Sequence, residues 1–185
     1  MTYPEYARIG DKTVKLRTDY RVALRCFSAV NDPDISDGER ALAVIWLLFG
    51  QLPDGDLQPY LDKARLFLQC GRDTENAGGV RDMDMAADMP YIYASFLSDY
   101  RIDLDTTPMH WWRFCALMEG LTEDCVLSRV RELRRFDLSE IKDAKTRRKI
   151  ADAQQRVALP VRLTAEERDA IAAFERECGG GKYGG

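Results

Sequence analysis

Apolar residues recur at spacings of three and four through almost the whole chain, which places them on one face of an α-helix. The densest case is the apolar run from Ala41 to Phe49. Ser36 and Glu39 ahead of it have the spacing of a capping box, in which each side chain satisfies a backbone N–H of the first turn. Gly50 and Pro53-Asp54-Gly55 stop the run. A helix over 36–49 that is apolar nearly all round belongs in the centre of a bundle, and Trp46 and Phe49 are then core residues.

The same signals divide the rest of the chain. Thr18 is placed to cap a helix carrying Tyr20, Val22, Ala23, Cys26, Phe27 and Val30. Asn31-Asp32-Pro33-Asp34 ends it, because a residue before proline is pushed out of the α region. Leu57, Leu61, Ala64, Phe67 and Leu68 form a stripe that stops near Gly71, and 71–81 reads as a loop. Asp88 before Pro90, and Thr107-Pro108, are start signals for helices carrying Phe96 and Tyr100, then Trp111, Trp112 and Phe114. Further helices are expected from Thr122, from Ser139 to about 158, and from the Thr164–Glu167 capping box to about Glu177. Only Lys12 to Arg17 alternate, as one short strand that needs a partner from another segment or chain. The expected fold is all-α, a compact bundle of seven or eight helices with one short N-terminal strand. Its expected divisions are a helical domain over 1–159, a C-terminal helix over 160–177 and a flexible glycine-rich tail over 178–185.

With 185 residues, the chain makes one main domain that needs no metal or disulfide staple. The five cysteines, at 26, 70, 115, 125 and 178, have no Cys-x-x-Cys spacing, so reduced thiols are expected. A single histidine excludes any site with two histidine ligands. No apolar run reaches the length of a membrane span, and the first residues lack the apolar stretch of a signal peptide. Walker, Rossmann and Gly-x-Ser-x-Gly motifs are absent, and no histidine stands beside a nucleophile. These absences argue against an enzyme and imply neither cofactor nor metal.

The net charge of −4 hides a polarity: +3 over 1–30, −11 over 31–125, +5 over 126–156 and −1 over 157–185. An acidic middle beside a basic segment points to charge steering, within the chain or between chains. Asp82, Asp84 and Asp88 lack the glycine and terminal glutamate of a calcium loop and read as charges favoured ahead of a helix. His110-Trp111-Trp112 reads either as a core-facing turn or as an aromatic partner surface, since adjacent tryptophans point about 100° apart on a helix. The basic segment, from Arg129, Arg131, Arg134 and Arg135 to Lys142 and Lys145, reads as a solvated face laced with pairs such as Asp143–Arg147 and Asp152–Arg156. A protein contact is the alternative. Nucleic acid is disfavoured, because only Phe136 interleaves and the whole chain is acidic. The 139–158 helix has Ile141, Ile150 and Val157 as its only large apolar residues, so it is weakly anchored. The candidate partner-binding residues are Trp111, Trp112, Arg147, Arg148 and Lys149.

Tyr91-Ile92-Tyr93-Ala94-Ser95-Phe96, then Tyr100-Arg101-Ile102-Asp103-Leu104, then Met109-His110-Trp111-Trp112-Arg113-Phe114, then Leu117 and Gly120-Leu121, resemble the core of the bacteriophage gene-product-fifteen family. Asp19-Tyr20-Arg21-Val22-Ala23-Leu24 and Arg134-Arg135-Phe136-Asp137-Leu138 also look like that family, and the likeness covers roughly 14–159. The family is encoded in tail operons of long-tailed phages and prophages, near the tape measure gene. The resemblance implies a small helical, non-enzymatic tail assembly protein in the bacterial host cytoplasm, acting as a chaperone of the tape measure protein or binding other tail proteins. Self-association is left open. A structural tail completion or connector subunit is the alternative, and a nucleic-acid-binding regulator working through 129–149 is a second.

Overall fold

The computed structural model describes residues 2–72 and 81–160, with Ala170 alone beyond them. The helix expected from Thr164, the glycine-rich tail and most of the 71–81 loop lie outside the described residues. The chain opens with two antiparallel strands, β1 (Tyr6–Ile9) and β2 (Lys12–Lys15), in the register Ile9↔Lys12 to Tyr6↔Lys15. The expected strand therefore finds its partner in the preceding residues of its own chain. Gly10 sits at φ 57°, at the first central position of the two-residue turn, a left-handed conformation that favours glycine. Ala7 and Val14 are the paired residues that the hairpin turns inward.

Seven α-helices follow among the described residues: α1 (Tyr20–Val30), α2 (Asp37–Phe49), α3 (Gln58–Leu68), α4 (Met89–Tyr100), α5 (Trp111–Glu119), α6 (Val126–Arg135) and α7 (Ala144–Arg156). The mostly α expectation holds. The Ser36–Glu39 capping box forms as its spacing predicts, and Gly50 closes α2 in the left-handed conformation. Elsewhere the starts shift. Asp19, not Thr18, caps α1, accepting the Arg21 N–H. Thr122 does not open α6, because its hydroxyl and N–H both go to the Asp99 carboxylate, and Cys125 takes the cap. The helix expected from Ser139 breaks into a 3-10 turn, Leu138–Glu140, and α7, which begins five residues later behind Asp143.

The helices α1, α2 and α3 pack in sequence, α5 joins α1 to α4, and α6 lies on α4 with α7 against it. Their shared core holds Ile45, Leu48, Ile92, Phe96, Leu104, Trp111, Phe114 and Leu127, each 2 % exposed or less. Four rings run through it: Tyr20 stacks on Phe114 at 4.7 Å, and Phe114 lies against Phe96 at 5.1 Å and Trp111 at 5.6 Å. Helix α2 is not enclosed on every side. Val44, Ile45, Leu48 and Phe49 face inward, whereas Leu42 and Trp46, one turn apart, face out, with Trp46 52 % exposed. A continuous apolar run carries no period, so it could not show which of its residues would be left outside.

Candidate functional site

Helix α5 is held at its start by a histidine. The His110 Nδ1 accepts the Trp112 N–H at 3.0 Å, and its other ring nitrogen lies 3.1 Å from the Pro4 carbonyl, which fixes the Nε2–H tautomer. Tyr20 N–H donates to Met109, and Trp111 N–H to Thr18, so the starts of α1 and α5 are clamped together. The Trp111 ring enters the core and its indole N–H donates to the Leu68 carbonyl at 3.0 Å. The half-buried Trp112 ring donates to the Phe67 carbonyl at 2.9 Å. Both tryptophans thus spend their polar atoms on the end of α3.

The acidic stretch before α4 is bound by the basic helix α6. Arg134 makes two bonds to the fully buried Asp88, at 2.6 and 2.7 Å, and donates to the Asp82 and Val157 carbonyls. The Asp88 carboxylate holds the Arg134 guanidinium still more firmly in its charged form. Arg131 and Arg135 reach Asp82, and Arg81 pairs with Asp84. Asp88 thus stands at the N-cap position of α4 but makes no side-chain cap bond, and Arg134 turns this part of the basic segment into an internal clamp while Arg131 and Arg135 stay partly solvated. Among the described residues no group of three His, Cys, Asp or Glu side chains could hold a metal ion.

Helix α7 carries most of the other basic residues, Lys145, Arg147, Arg148, Lys149 and Arg156. Its own core contribution is small, but Gln154 bonds the Leu133 and Phe136 carbonyls at 2.9 and 2.8 Å and fastens its C-terminal half to α6. Asp143 is occupied by the Thr146 N–H and hydroxyl rather than by Arg147, so the expected helix-face pair does not form there. Arg147, Arg148 and Lys149 are exposed and make no ion pair with the described residues. They do not join Trp111 and Trp112 in one patch, since the tryptophans pack on α3.

A concave apolar surface lies elsewhere, between α1, α2 and α3. Phe27, Val30, Val44, Leu61, Ala64 and Leu68 line a groove of about 290 Å³, and Arg40 and Arg65 stand on its rim. Val30 is 48 % exposed at its edge. Sequence reasoning assigned these residues to helix stripes and missed the groove, because a gap between three stripes has no signature within any one of them. A larger cleft of about 960 Å³ between the hairpin and the 51–60 segment is lined by polar and apolar residues in about equal measure.

The family model described as Bacteriophage Gp15 protein matches residues 4–159. The chain belongs to that family. The match takes in the whole β-hairpin, most of which lies ahead of the 14–159 likeness read from residues, and makes the chain a phage-related protein. Neither the curated proteins nor the solved structures contain a significant match. For this Gp15-family protein, the family model overlies all seven described helices, including the groove-forming α1 to α3 and the basic α7. No described helix is long and apolar enough to cross a membrane.

Proposed function

We propose that the protein is a non-enzymatic tail assembly factor that binds the tape measure protein before the tail tube polymerises. The observation that carries this reading is the apolar groove between α1, α2 and α3. Its lining of Phe27, Val44, Leu61 and Leu68 suits the apolar stripe of an amphipathic helix, and Arg65 suits an acidic residue flanking such a stripe, whereas Arg40 is held by the Asp32 carbonyl and the Asp37 carboxylate. A tape measure protein is long and largely helical, so its stripes need cover until assembly buries them. One chain of that kind offers several such stripes, and several copies bound along it would gain from multivalency. The resemblance to a family encoded beside the tape measure gene supports the choice of partner.

The test is co-expression with the tape measure protein and co-purification, comparing the native chain with Val30→Glu. Val30 is exposed at the groove edge, so the variant should keep its helical content while losing capture. Capture unchanged by Val30→Glu would remove the groove from the reading. Assay of purified virions decides the class: a chaperone is absent from them, and a fixed copy number per particle would instead make this a structural tail subunit.

A further inference from the structure

Outside the groove, α5 meets the end of α3 in a ladder of contacts. Trp111, Cys115 and Glu119 are spaced by four, so they stand one above another on the same face of α5. Opposite them the chain runs Leu68, Cys70, Arg72. The first rung is the pair of indole bonds from Trp111 and Trp112 to the Leu68 and Phe67 carbonyls. The last is Arg72, which makes two bonds to the Glu119 carboxylate at 2.5 and 2.8 Å. Between these rungs the Cys70 and Cys115 thiols are close enough to interact. Cys70 is held in the left-handed conformation, φ 56°, and Gly71 behind it lets the chain pass the Trp112 ring, where a Cβ would come within 2.9 Å. The two sulfurs are thus brought together by a seam fastened at both ends. Both residues are half-buried, so the seam is not sealed from solvent.

We propose that Cys70 and Cys115 are a redox-active thiol pair whose substrate is hydrogen peroxide. The Cys70 thiolate attacks one peroxide oxygen, the O–O bond breaks, and the second oxygen leaves as hydroxide that takes up a proton to become water. Cys70 is left as a sulfenic acid. The Cys115 sulfur then attacks the Cys70 sulfur, the S–S bond forms, the S–O bond breaks, and the departing oxygen takes the Cys115 proton to give a second water. Two thiols are oxidised by two electrons, and one peroxide is reduced to two waters.

The division of labour follows from the surroundings of each sulfur. The interaction with Cys115, helped by the Arg72 cation, holds Cys70 below the ordinary thiol range against its burial and the Glu119 carboxylate. The same interaction, together with burial, pushes Cys115 upward, which suits a resolving thiol that stays protonated until Cys70 is oxidised. Cys26 does not compete, because it is fully buried and desolvation pushes its thiol up to about 12. Cys125 is only 4 % exposed.

The experiment treats the reduced, full chain with one equivalent of hydrogen peroxide and maps its peptides by mass spectrometry without reduction. The expected product is a Cys70–Cys115 disulfide, with the loss of two hydrogen atoms, reversed by dithiothreitol, while Cys26 and Cys125 remain open to alkylation after unfolding. Cys115→Ser should abolish the disulfide and leave a Cys70 sulfenic acid that a cyclic 1,3-dione captures. Should that variant fail to fold, the map of the native chain decides alone. Cys70 and Cys115 both still alkylatable after peroxide, or a disulfide joining either to Cys178 or to a second chain, would overturn the proposal.

Discussion

Asp88 and Arg134 form a pair whose cost and worth are set by burial. Asp88 is fully buried, and the Arg134 side chain is 9 % exposed. Taking two charges out of water is expensive, and the geometry repays it through two short parallel bonds plus the Asp84 N–H, which donates to Asp88 at 2.9 Å. Removing only the arginine leaves a buried carboxylate with no cation. Arg134→Met is therefore expected to cost about 3–5 kcal/mol, read from urea unfolding, and adding Asp88→Asn should recover part of that loss. A single-variant loss below about 1 kcal/mol would mean that water already reaches the carboxylate. Neither residue's role could be read locally. Asp88 stands just before a proline-bearing helix start, which is where an acidic cap would stand, and Arg134 lies 46 residues away on another helix. Tryptophan makes the same point. Trp46 is 52 % exposed and Trp111 is 2 % exposed, although both lie in strongly apolar stretches.

The helices separate into those whose ends are written locally and those whose ends depend on distant partners. Ser36 and Glu39 bond to each other, so the start of α2 is legible to the residue. Thr122 resembles a cap but belongs to Asp99 of α4, and Ser139 sits in a 3-10 turn capped by Asp137. In both cases the true helix begins a few residues later, because the apparent capping residue is engaged elsewhere. The hairpin is a different omission. Gly10-Asp11 ahead of the alternating Lys12–Lys15 is a two-residue hairpin signal, and reading it would have supplied the strand's partner. Helix α5 shows how much a local cap carries when it is also a tertiary contact. His110 caps α5 and binds the Pro4 carbonyl ahead of β1. His110→Ala should lose both bonds and cost about 1–2 kcal/mol in thermal or urea unfolding. His110→Asn restores a side-chain cap without the long reach to Pro4 and should recover at least half of that loss. Equal losses in the two variants would place the energy in the Pro4 bond and the ring stacking of Tyr3 on His110, not in the cap.

Across the whole molecule, the charge polarity resolves into two parts with different work. Arg134 of the basic segment is consumed by Asp88 of the acidic middle, and Arg131 and Arg135 pair with Asp82 nearer the surface, so part of the polarity is a clamp between α6 and the start of α4. What remains outward is α7, where Arg147, Arg148 and Lys149 are exposed and their helix is fastened mainly at its far end through Gln154. Unpaired charge on a lightly anchored helix adds little to folding but extends a field into solvent, within about 10 Å at 0.1 M salt. A partner that reaches the groove through apolar contact would feel that field during approach and lose it in the bound state, since rim charges act on association and buried anchors on dissociation. Replacing Arg147, Arg148 and Lys149 together by glutamine should therefore leave stability within about 0.5 kcal/mol of the native chain. In stopped-flow binding to the tape measure protein at low salt, association should slow while dissociation stays nearly unchanged, and the difference should fade as salt is raised. A large loss of stability would show that these cations pair with the acidic middle of their own chain after all. Association that is equally fast at low salt would remove steering as their role. A salt-dependent shift of DNA or RNA by the native chain, abolished in the triple variant, would transfer α7 to the nucleic-acid reading, because neutralising a cation that sits on a phosphate lowers the salt slope of binding by about one.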